Sequence, residues 1–214
     1  MTFRKKRVAL VIALALAASA VAVAATETFV FDKSHSQVAF RVRHWLTKFE
    51  GRFNEYDGKI WLDRSKPADS KVEFTIQSAS IDTGNERRDN HLRSADFFEA
   101  EKYPTITFKS TKVEPKGKDL YDVTGELTMH GVTRVLTVPV RHTGFLNLGT
   151  QEKAGFEATI PINRKDFGIT WNRTADQGGV MLGDEVEITV LVEANKEMPA
   201  EAAPALTKAP ATNR

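Results

Sequence analysis

Apolar and polar residues alternate along most of the chain between Thr28 and Ala194. This two-residue period is typical of β-strands with one buried face. We therefore predict an all-β domain of at least eight antiparallel strands. The clearest alternating rows lie at residues 38–42, 72–76, 121–129, 156–162 and 186–192, and less regular ones at 28–32, 58–63, 105–114 and 133–148.

Local breaks in the alternation predict bends and turns. The period shifts by one residue near Ser110 and Thr111, which indicates a β-bulge. Residues 115–118 (PKGK) and 129–132 (MHGV) contain turn-forming types and predict two hairpins. Internal repeats and a second domain are not evident in the sequence.

Strands in this number need an arrangement that protects their edges. A closed barrel of about eight strands does so and can just enclose a small ligand, and a two-sheet sandwich is the alternative. Alternation does not separate the two, and its apolar rows would fill a solid β-core as well as they would line a cavity. The inward rows include Phe40, Val42, Phe74, Ile76, Phe108 and Leu127, with Trp171 in a later loop.

One charged segment interrupts the strands. Thr83 and Glu86 have the spacing of a capping box, which predicts a helix from Glu86 to about residue 94. This helix carries Arg88 and His91, and the aromatic residues Phe97 and Phe98 follow it. A basic helix beside aromatic residues at the mouth of a sheet suits a ligand with a polar or anionic head group and an apolar body. The alternative is a solvated helix face, with ion pairs worth roughly 0–1 kcal/mol each.

The first 24 residues have the order of a secretory signal peptide. Four cations at positions 4–7 precede an uncharged apolar run, and residues 22–24 (AVA) match the A-x-A cleavage pattern. The uncharged run spans only residues 8–25, so a retained membrane anchor is the weaker alternative. We expect cleavage, export to the periplasm and a folded domain over residues 25–195.

Charge and composition exclude some classes of protein. Removal of residues 1–24 takes away four cations and no acid, so the formal charge falls from +2 to −2 and leaves no basic face for nucleic acid. The chain has no cysteine, so an exported domain of this size depends on its core instead of disulfides. Residues 196–214 are rich in alanine and proline and predict a disordered tail.

Motifs for catalysis or metal binding are missing from the sequence. It has no cysteine nucleophile, G-x-S-x-G turn, glycine-rich phosphate loop or H-E-x-x-H motif. The serines beside His35 would point to the opposite face of a strand from the imidazole. His35, His44, His91 and His130 lie on separate segments without ligand spacing, although a barrel rim can gather distant residues. We predict no enzyme activity, metal or cofactor; the alternatives are an enzyme that uses rim histidines and a haem-associated redox protein.

Five segments, in order along the chain, resemble the YceI-like family of bacterial periplasmic proteins. The most specific is residues 80–111, SIDTGNERRDNHLRSADFFEAEKYPTITFKST, with its R-D-x-H-L, D-F-F, Y-P and F-x-S-T elements. The others are weak individually but extend the resemblance over nearly the whole predicted domain. They are FDKSHSQVAFRVRHW (31–45), EGRFNEYDGKIWLD (50–63), GELTMHGVTR (125–134) and INRKDFGI (162–169).

The resemblance implies an extended lipocalin-like β-barrel with one or two short helices. Its interior would hold an isoprenoid or other amphiphilic lipid, such as a polyprenyl chain or ubiquinone, which favours a cavity over a filled core. We expect a soluble carrier, and we count transient membrane contact and a homodimer among the interactions to test. On this hypothesis the ligand-binding residues are His35, Phe40, Val42, His44, Phe74, Ile76, Arg88, His91, Phe97, Phe98, Phe108, Leu127 and Trp171.

Overall fold

The chain folds into an antiparallel β-barrel, described by a computed structural model for residues 26–174 and 180–198. The predicted signal peptide and residues 199–214 of the predicted tail lie outside the described residues. The helix α1 spans Glu86–Arg93. The strands are β1 (Glu27–Phe31), β2 (Gln37–His44), β3 (Thr47–Phe53), β4 (Tyr56–Leu62), β5 (Lys71–Gln77), β6 (Ile81–Asp82), β7 (Thr105–Gly117), β8 (Leu120–Met129), β9 (Val132–Asn147), β10 (Glu152–Asn163) and β11 (Leu182–Lys196).

Eight strands close the barrel. They follow the order β1-β4-β5-β7-β8-β9-β10-β11, and β11 returns to β1 through the pairs from Phe29–Lys196 to Phe31–Ala194. The all-β barrel of about eight strands is thereby confirmed, and the sandwich alternative is excluded. The last strand ends at Lys196, one residue beyond the predicted end of the domain.

Three positions in the wall are filled by two short strands placed end to end. β1 and β2 both pair with β11 and are separated by residues 32–36. β4 pairs with β1 and β3 with β2, with a break at residues 54–55. β5 pairs with β4 and β6 with β3, with a break at residues 78–80. The other five strands are continuous.

The breaks are neighbours across the wall and are joined by hydrogen bonds. The backbone N–H of Asn54 donates to the carbonyl oxygen of Ser80 at 3.1 Å. The Tyr56 hydroxyl donates to the carbonyl oxygen of Ser36. These bonds satisfy backbone groups that lose their strand partners where the ladders stop.

Of the predicted bulge and two predicted hairpin turns, the structure has the bulge and one turn at the predicted residues. The register between β7 and β8 shifts between Ser110 and Lys112, so the predicted bulge is present. The β8–β9 hairpin turns at His130 and Gly131, whose φ values of 52° and 75° are those of a type I′ turn. The β7–β8 turn lies later than predicted, because β7 continues through Gly117.

Strands β3 and β6 were not predicted. In β3 a glycine, Gly51, replaces one member of the inward row between Phe49 and Phe53, so the apolar alternation is incomplete. β6 has two residues and carries no readable period.

The helix begins at the predicted residue but is capped differently. The side-chain oxygen of Asn85 accepts a hydrogen bond from the Arg88 backbone N–H at 3.0 Å, so Asn85 is the N-cap. The assignment of a capping box to Thr83 and Glu86 was wrong. Thr83 instead donates its backbone N–H to the Asp89 carboxylate at 2.9 Å, and its hydroxyl donates to the same oxygen.

Within residues 26–174 and 180–198, no helix is long and apolar enough to cross a bilayer.

Candidate functional site

The barrel interior contains a cavity of about 530 Å³. Because side chains alternate between the two faces of a strand, the inward apolar rows form its wall. The middle of the wall is apolar and comes from all sides of the barrel. It includes Phe40, Phe74, Ile76, Phe108, Leu127, Leu136, Val138, Phe156, Ala158, Ile160, Ile188 and Val190.

Glycines in the wall make room for inward phenylalanine rings. A Cβ atom at Gly51 would lie 2.4 Å from Cζ of Phe40, and one at Gly125 would lie 2.5 Å from Cζ of Phe108. The rings can therefore lie flat over the backbone of the neighbouring strand. With the rings in this position, space remains open along the barrel axis.

One end of the cavity, here called the helix end, is covered by α1 and the segment that follows it. Leu92, Phe97 and Ile169 are buried there and line the cavity. Phe97 packs against Trp171 with ring centroids 5.1 Å apart. The helix thus acts as an apolar cover at this end of the barrel.

A buried arginine supports the helix end. Arg164 is 4% exposed, and its guanidinium donates to the carbonyl oxygens of Ile169 and Trp171 at 2.8 Å and of Gly183 at 2.9 Å. It also pairs with the Asp184 carboxylate at 3.2 Å. Burial lowers the pKa of Arg164 against the opposing effect of Asp184, but an arginine remains charged.

The opposite end, here called the open end, carries most of the polar lining residues. Exposed Lys71 and half-buried Asp119 belong to the lining, so the cavity reaches solvent here. Lys71 makes no ion pair with any residue in the described part of the chain. The polar lining residues of this end are Asp63, Arg64, Ser70, Lys71, Asp119, Tyr121 and His142.

His142 places an imidazole in the cavity wall near the open end. Its side chain is 11% exposed, and its ring packs against Phe145 and Phe156 with centroids 4.4 and 5.2 Å away. Burial lowers the pKa of His142, although the Asp119 carboxylate lies 3.9 Å from Nδ1 and favours the charged form. Nε2 has no hydrogen-bond partner among the described residues. The neutral ring can therefore offer one donor or acceptor to a ligand.

An ionic cluster occupies one side of the open end. Arg64 binds the carboxylates of Glu27 and Glu152, and the Lys196 ammonium lies 3.0 Å from Glu152. Hydrogen bonds from Arg64 and then Lys196 hold the pKa of Glu152 below its usual range. The Arg64 guanidinium also lies 3.8 Å from the ring centroid of Phe145. These contacts fix the start of β10 against the loop after β4.

The structure places eight of the thirteen candidate residues in the cavity wall. The other five lie elsewhere, so their sequence positions did not bring them to the cavity. The eight are Phe40, Val42, Phe74, Ile76, Phe97, Phe98, Phe108 and Leu127; the five are His35, His44, Arg88, His91 and Trp171.

Arg88 and His91 of the helix do not line the cavity. The Arg88 side chain donates to the hydroxyl and carbonyl oxygens of Thr83 and lies 4.7 Å from the Phe49 ring centroid. His91 Nε2 lies 2.8 Å from the Asp96 carboxylate, and its ring packs edge-on against Trp171. These interactions lie on the outer side of the cover, because the apolar residues of this segment occupy its inner side.

The remaining histidines are also outside the cavity wall. His44 packs against Trp45 and Phe49 on the β2–β3 hairpin. His35 is exposed in the break between β1 and β2, where its Nδ1 lies 2.9 Å from Asp32.

A group of potential metal ligands surrounds this position. Atoms of Asp32, His35 and Glu193 lie within 4.8 Å of one another. However, the Lys153 ammonium lies 3.0 Å from Asp32 and also bonds Glu193, so both carboxylates already pair with a cation. Hydrogen bonds from Ser34, His35 and Lys153 lower the pKa of Asp32. The cluster resembles a structural ion-pair network more than a vacant metal site.

Sequence reasoning missed the polar residues of the open end. Arg64 comes from the β4–β5 connection, Lys71 is the first residue of β5, and His142 comes from a strand on another side of the barrel. The sequence contained one signal that could have identified His142. This residue continues the inward row of Leu136, Val138 and Val140, and a polar residue in such a row occupies a lining position.

Residues 29–194 match the model of the YceI-like domain. The chain belongs to the YceI-like family. It is 42% identical over 138 residues to a UPF0312 protein of Vibrio parahaemolyticus, covering 64% of this chain and 73% of that one. It is 40% identical over 167 residues to a UPF0312 protein of Pseudomonas paraeruginosa, covering 74% and 81%.

Three solved structures share this architecture. BcnA of Burkholderia cenocepacia aligns with a TM-score of 0.66 at 29% identity, over 76% of this chain and 98% of that one. A YceI protein of Campylobacter jejuni aligns with a TM-score of 0.61 at 34% identity, over 69% and 85%. A polyisoprenoid binding domain from Saccharophagus degradans shares the fold at 14% identity, with a TM-score of 0.59 over 80% and 99%.

Proposed function

We propose that this protein binds an amphiphilic lipid, with an isoprenoid or similar chain in the barrel cavity, and carries or sequesters it in the periplasm. The observation that carries the proposal is an apolar cavity of about 530 Å³ with most of its polar lining groups at one end. Small-molecule sites commonly measure about 300–1,000 Å³ and combine apolar walls with a few placed polar groups. The YceI-like family and the polyisoprenoid-binding neighbour support the same class of ligand.

The apolar wall favours a chain over a compact polar substrate. Transfer of one CH₂ group from water to an apolar site is worth about 0.8 kcal/mol, so a long chain binds without many directed contacts. Such binding tolerates differences in chain length. It suits a polyprenyl chain or a ubiquinone, and it needs no further cofactor.

The open end is the proposed position of the head group. Lys71 offers an ammonium without an ion-pair partner in the described chain, and His142 offers an unpartnered nitrogen. Tyr121 adds a hydroxyl to the same lining. The helix residues Arg88 and His91 lie outside the lining and bind Thr83 and Asp96 instead.

Binding without catalysis is part of the proposal. The polar groups of the open end contain no serine or cysteine held against a histidine, as an activated nucleophile requires. Transient membrane contact also belongs to the proposal, because a lipid of low solubility needs an apolar source and destination.

A filled cavity is the direct test. Ala158 lines the cavity between Phe156 and Ile160, so Ala158→Phe would occupy its middle. Thr159 is exposed on the next position of the same strand, and Thr159→Phe adds the same ring to the outer surface. Native mass spectrometry of periplasmic protein, followed by organic extraction, would measure and identify the ligand.

The expected result is a stoichiometric prenyl or quinone species in the wild type and in Thr159→Phe, and its loss in Ala158→Phe. Equal retention in both folded variants would contradict the cavity as the binding site. A bare wild-type mass, unchanged after incubation with quinones and polyprenyl phosphates, would contradict lipid binding itself. Turnover of an esterase or phosphatase substrate by the wild type would favour the enzymatic alternative.

A further inference from the structure

Large apolar side chains are exposed around the open end of the barrel. Leu146 and Leu148 are 55% and 57% exposed at the tip of the β9–β10 hairpin, and Leu120 is 38% exposed at the β7–β8 turn. Phe145 is 41% exposed and also lines the cavity. Apolar surface therefore continues from the cavity wall to the outside of the barrel.

The hairpin geometry does not explain these leucines. Leu146 pairs with Lys153 across β9 and β10, and Leu148 closes the ladder by donating its N–H to the carbonyl oxygen of Gln151 at 2.9 Å. Both contacts use the backbone and are open to any residue type. Hairpin tips in water normally carry polar residues and glycine, so two exposed leucines on either side of one residue indicate an apolar neighbour.

Unpaired cations lie at the same end. Lys71 and Lys118 are exposed, and neither forms an ion pair with a residue described in the structure. The neighbouring carboxylates already have partners. Glu27 and Glu152 bind Arg64 and Lys196, Asp69 binds Lys66, Asp63 accepts from the Ser65 hydroxyl, and Asp119 lies beside His142.

We propose that the open end docks on the surface of an anionic lipid bilayer, with Leu146 and Leu148 entering the interface and Lys71 and Lys118 contacting lipid phosphates. Apolar side chains flanked by cations match the two layers of such a surface, which has an anionic outer plane over an apolar interior. Docking this end would place the cavity opening against the bilayer. A lipid tail could then pass between the bilayer and the barrel without crossing water. This role of docking in lipid transfer rests on the proposed function.

The β2–β3 hairpin at the opposite end provides a matched rival surface. Its tip exposes Leu46 at 93% and Trp45 at 40%. Arg43 and Lys48 lie directly opposite each other beside the tip, and neither forms an ion pair with a described residue. The two ends thus allow the same kinds of substitution, an exposed leucine and a pair of cations.

The test measures sedimentation of the exported protein with vesicles of phosphatidylcholine alone and of a two-to-one mixture with phosphatidylglycerol. Leu146→Ser with Leu148→Ser is expected to weaken binding to the mixed vesicles at least about tenfold. Lys71→Gln with Lys118→Gln is expected to weaken it about 25-fold, or about fivefold per cation near an anionic surface. Binding should fall with added salt and on phosphatidylcholine alone. Leu46→Ser and the pair Arg43→Gln with Lys48→Gln should bind as the wild type does.

The reverse pattern, with loss only in the Leu46, Arg43 and Lys48 variants, would overturn the proposed surface. Failure of the wild type to bind either vesicle would overturn bilayer docking, and capture of a protein by the leucine hairpin would assign the surface to a protein partner.

Lipid uptake from detergent solution separates docking from cavity binding. The double leucine variant should take up lipid normally, whereas Ala158→Phe should dock normally and take up none.

Discussion

Arg164 Nη1 donates a hydrogen bond to the carbonyl oxygen of Trp171 at 2.8 Å and thereby ties the loop after β10 to the floor of the cavity. The same side chain reaches Ile169, Gly183 and Asp184. One buried cation therefore satisfies three backbone acceptors, two in the loop after β10 and one at the start of β11. The helix end depends on this residue more than on any surface ion pair nearby.

Replacement of Arg164 by methionine should destabilise the protein by at least about 3 kcal/mol, because buried carbonyl groups lose their donors at about 1–3 kcal/mol each. Urea unfolding followed by circular dichroism measures the change. Lys165→Met is the matched control, since Lys165 is largely exposed and shares Asp184. A loss for Arg164→Met no larger than that of the control would contradict this role.

Replacement of Gly51 by alanine should destabilise the barrel by about 1–3 kcal/mol, the usual range for overpacking. The new Cβ would lie 2.4 Å from Cζ of Phe40, so the ring has to move. Phe40→Leu removes the two nearest clashing atoms and leaves only Thr83 Cγ2 at 2.8 Å, so the double variant should recover part of the loss. Additive effects in a double-mutant cycle by urea unfolding would show that the two positions are not coupled.

Replacement of Asn85 by alanine should cost about 1 kcal/mol through loss of the helix cap. The Asn85 side chain accepts from the Arg88 N–H, and no second side chain caps this terminus. Arg87→Ala is the control, because Arg87 is exposed and forms no ion pair among the residues described. Equal thermal midpoints for the two variants would argue against the cap.

His142 should make the folded protein less stable as the pH falls below about 6.5, the ordinary histidine value. Burial lowers the pKa of His142 in the folded state, so the unfolded chain binds the proton first. His142 does not affect stability at a pH above its pKa in the unfolded chain. Stability declines as the pH drops toward the pKa of His142 in the folded protein. His142→Phe should remove that decline between about pH 7.5 and 5.5, where carboxylates stay ionised. Parallel pH curves for variant and wild type would be inconsistent with a buried neutral imidazole.

The fold followed from the sequence because its signal is repeated many times. Inward rows such as Val72–Phe74–Ile76 fix one face of a strand, and the barrel places each such row in the cavity wall. A strand with a glycine in that row, like β3, loses the signal although it pairs normally with β2. The family resemblance separated barrel from sandwich, which alternation could not do.

The candidate site was predictable only in its apolar part. Arg88 and His91 have the right chemistry for a head group, but the helix turns Leu92 inward and leaves these groups with Thr83 and Asp96. The polar groups at the open end come from separate hairpins that only the closed ring brings together. Their association depends on the barrel register and is invisible to a reading of neighbouring residues.

The three broken strand positions give the barrel two regions with different tolerance to changes in length. An inserted residue within β7 to β11 would turn every following side chain to the other face of the wall. The breaks at residues 32–36, 54–55 and 78–80 already lie outside the ladders, so a residue added there leaves both flanking registers intact. Natural and engineered variation in chain length should therefore concentrate at these three breaks. An insertion there leaves the inward and outward faces of the flanking strands unchanged.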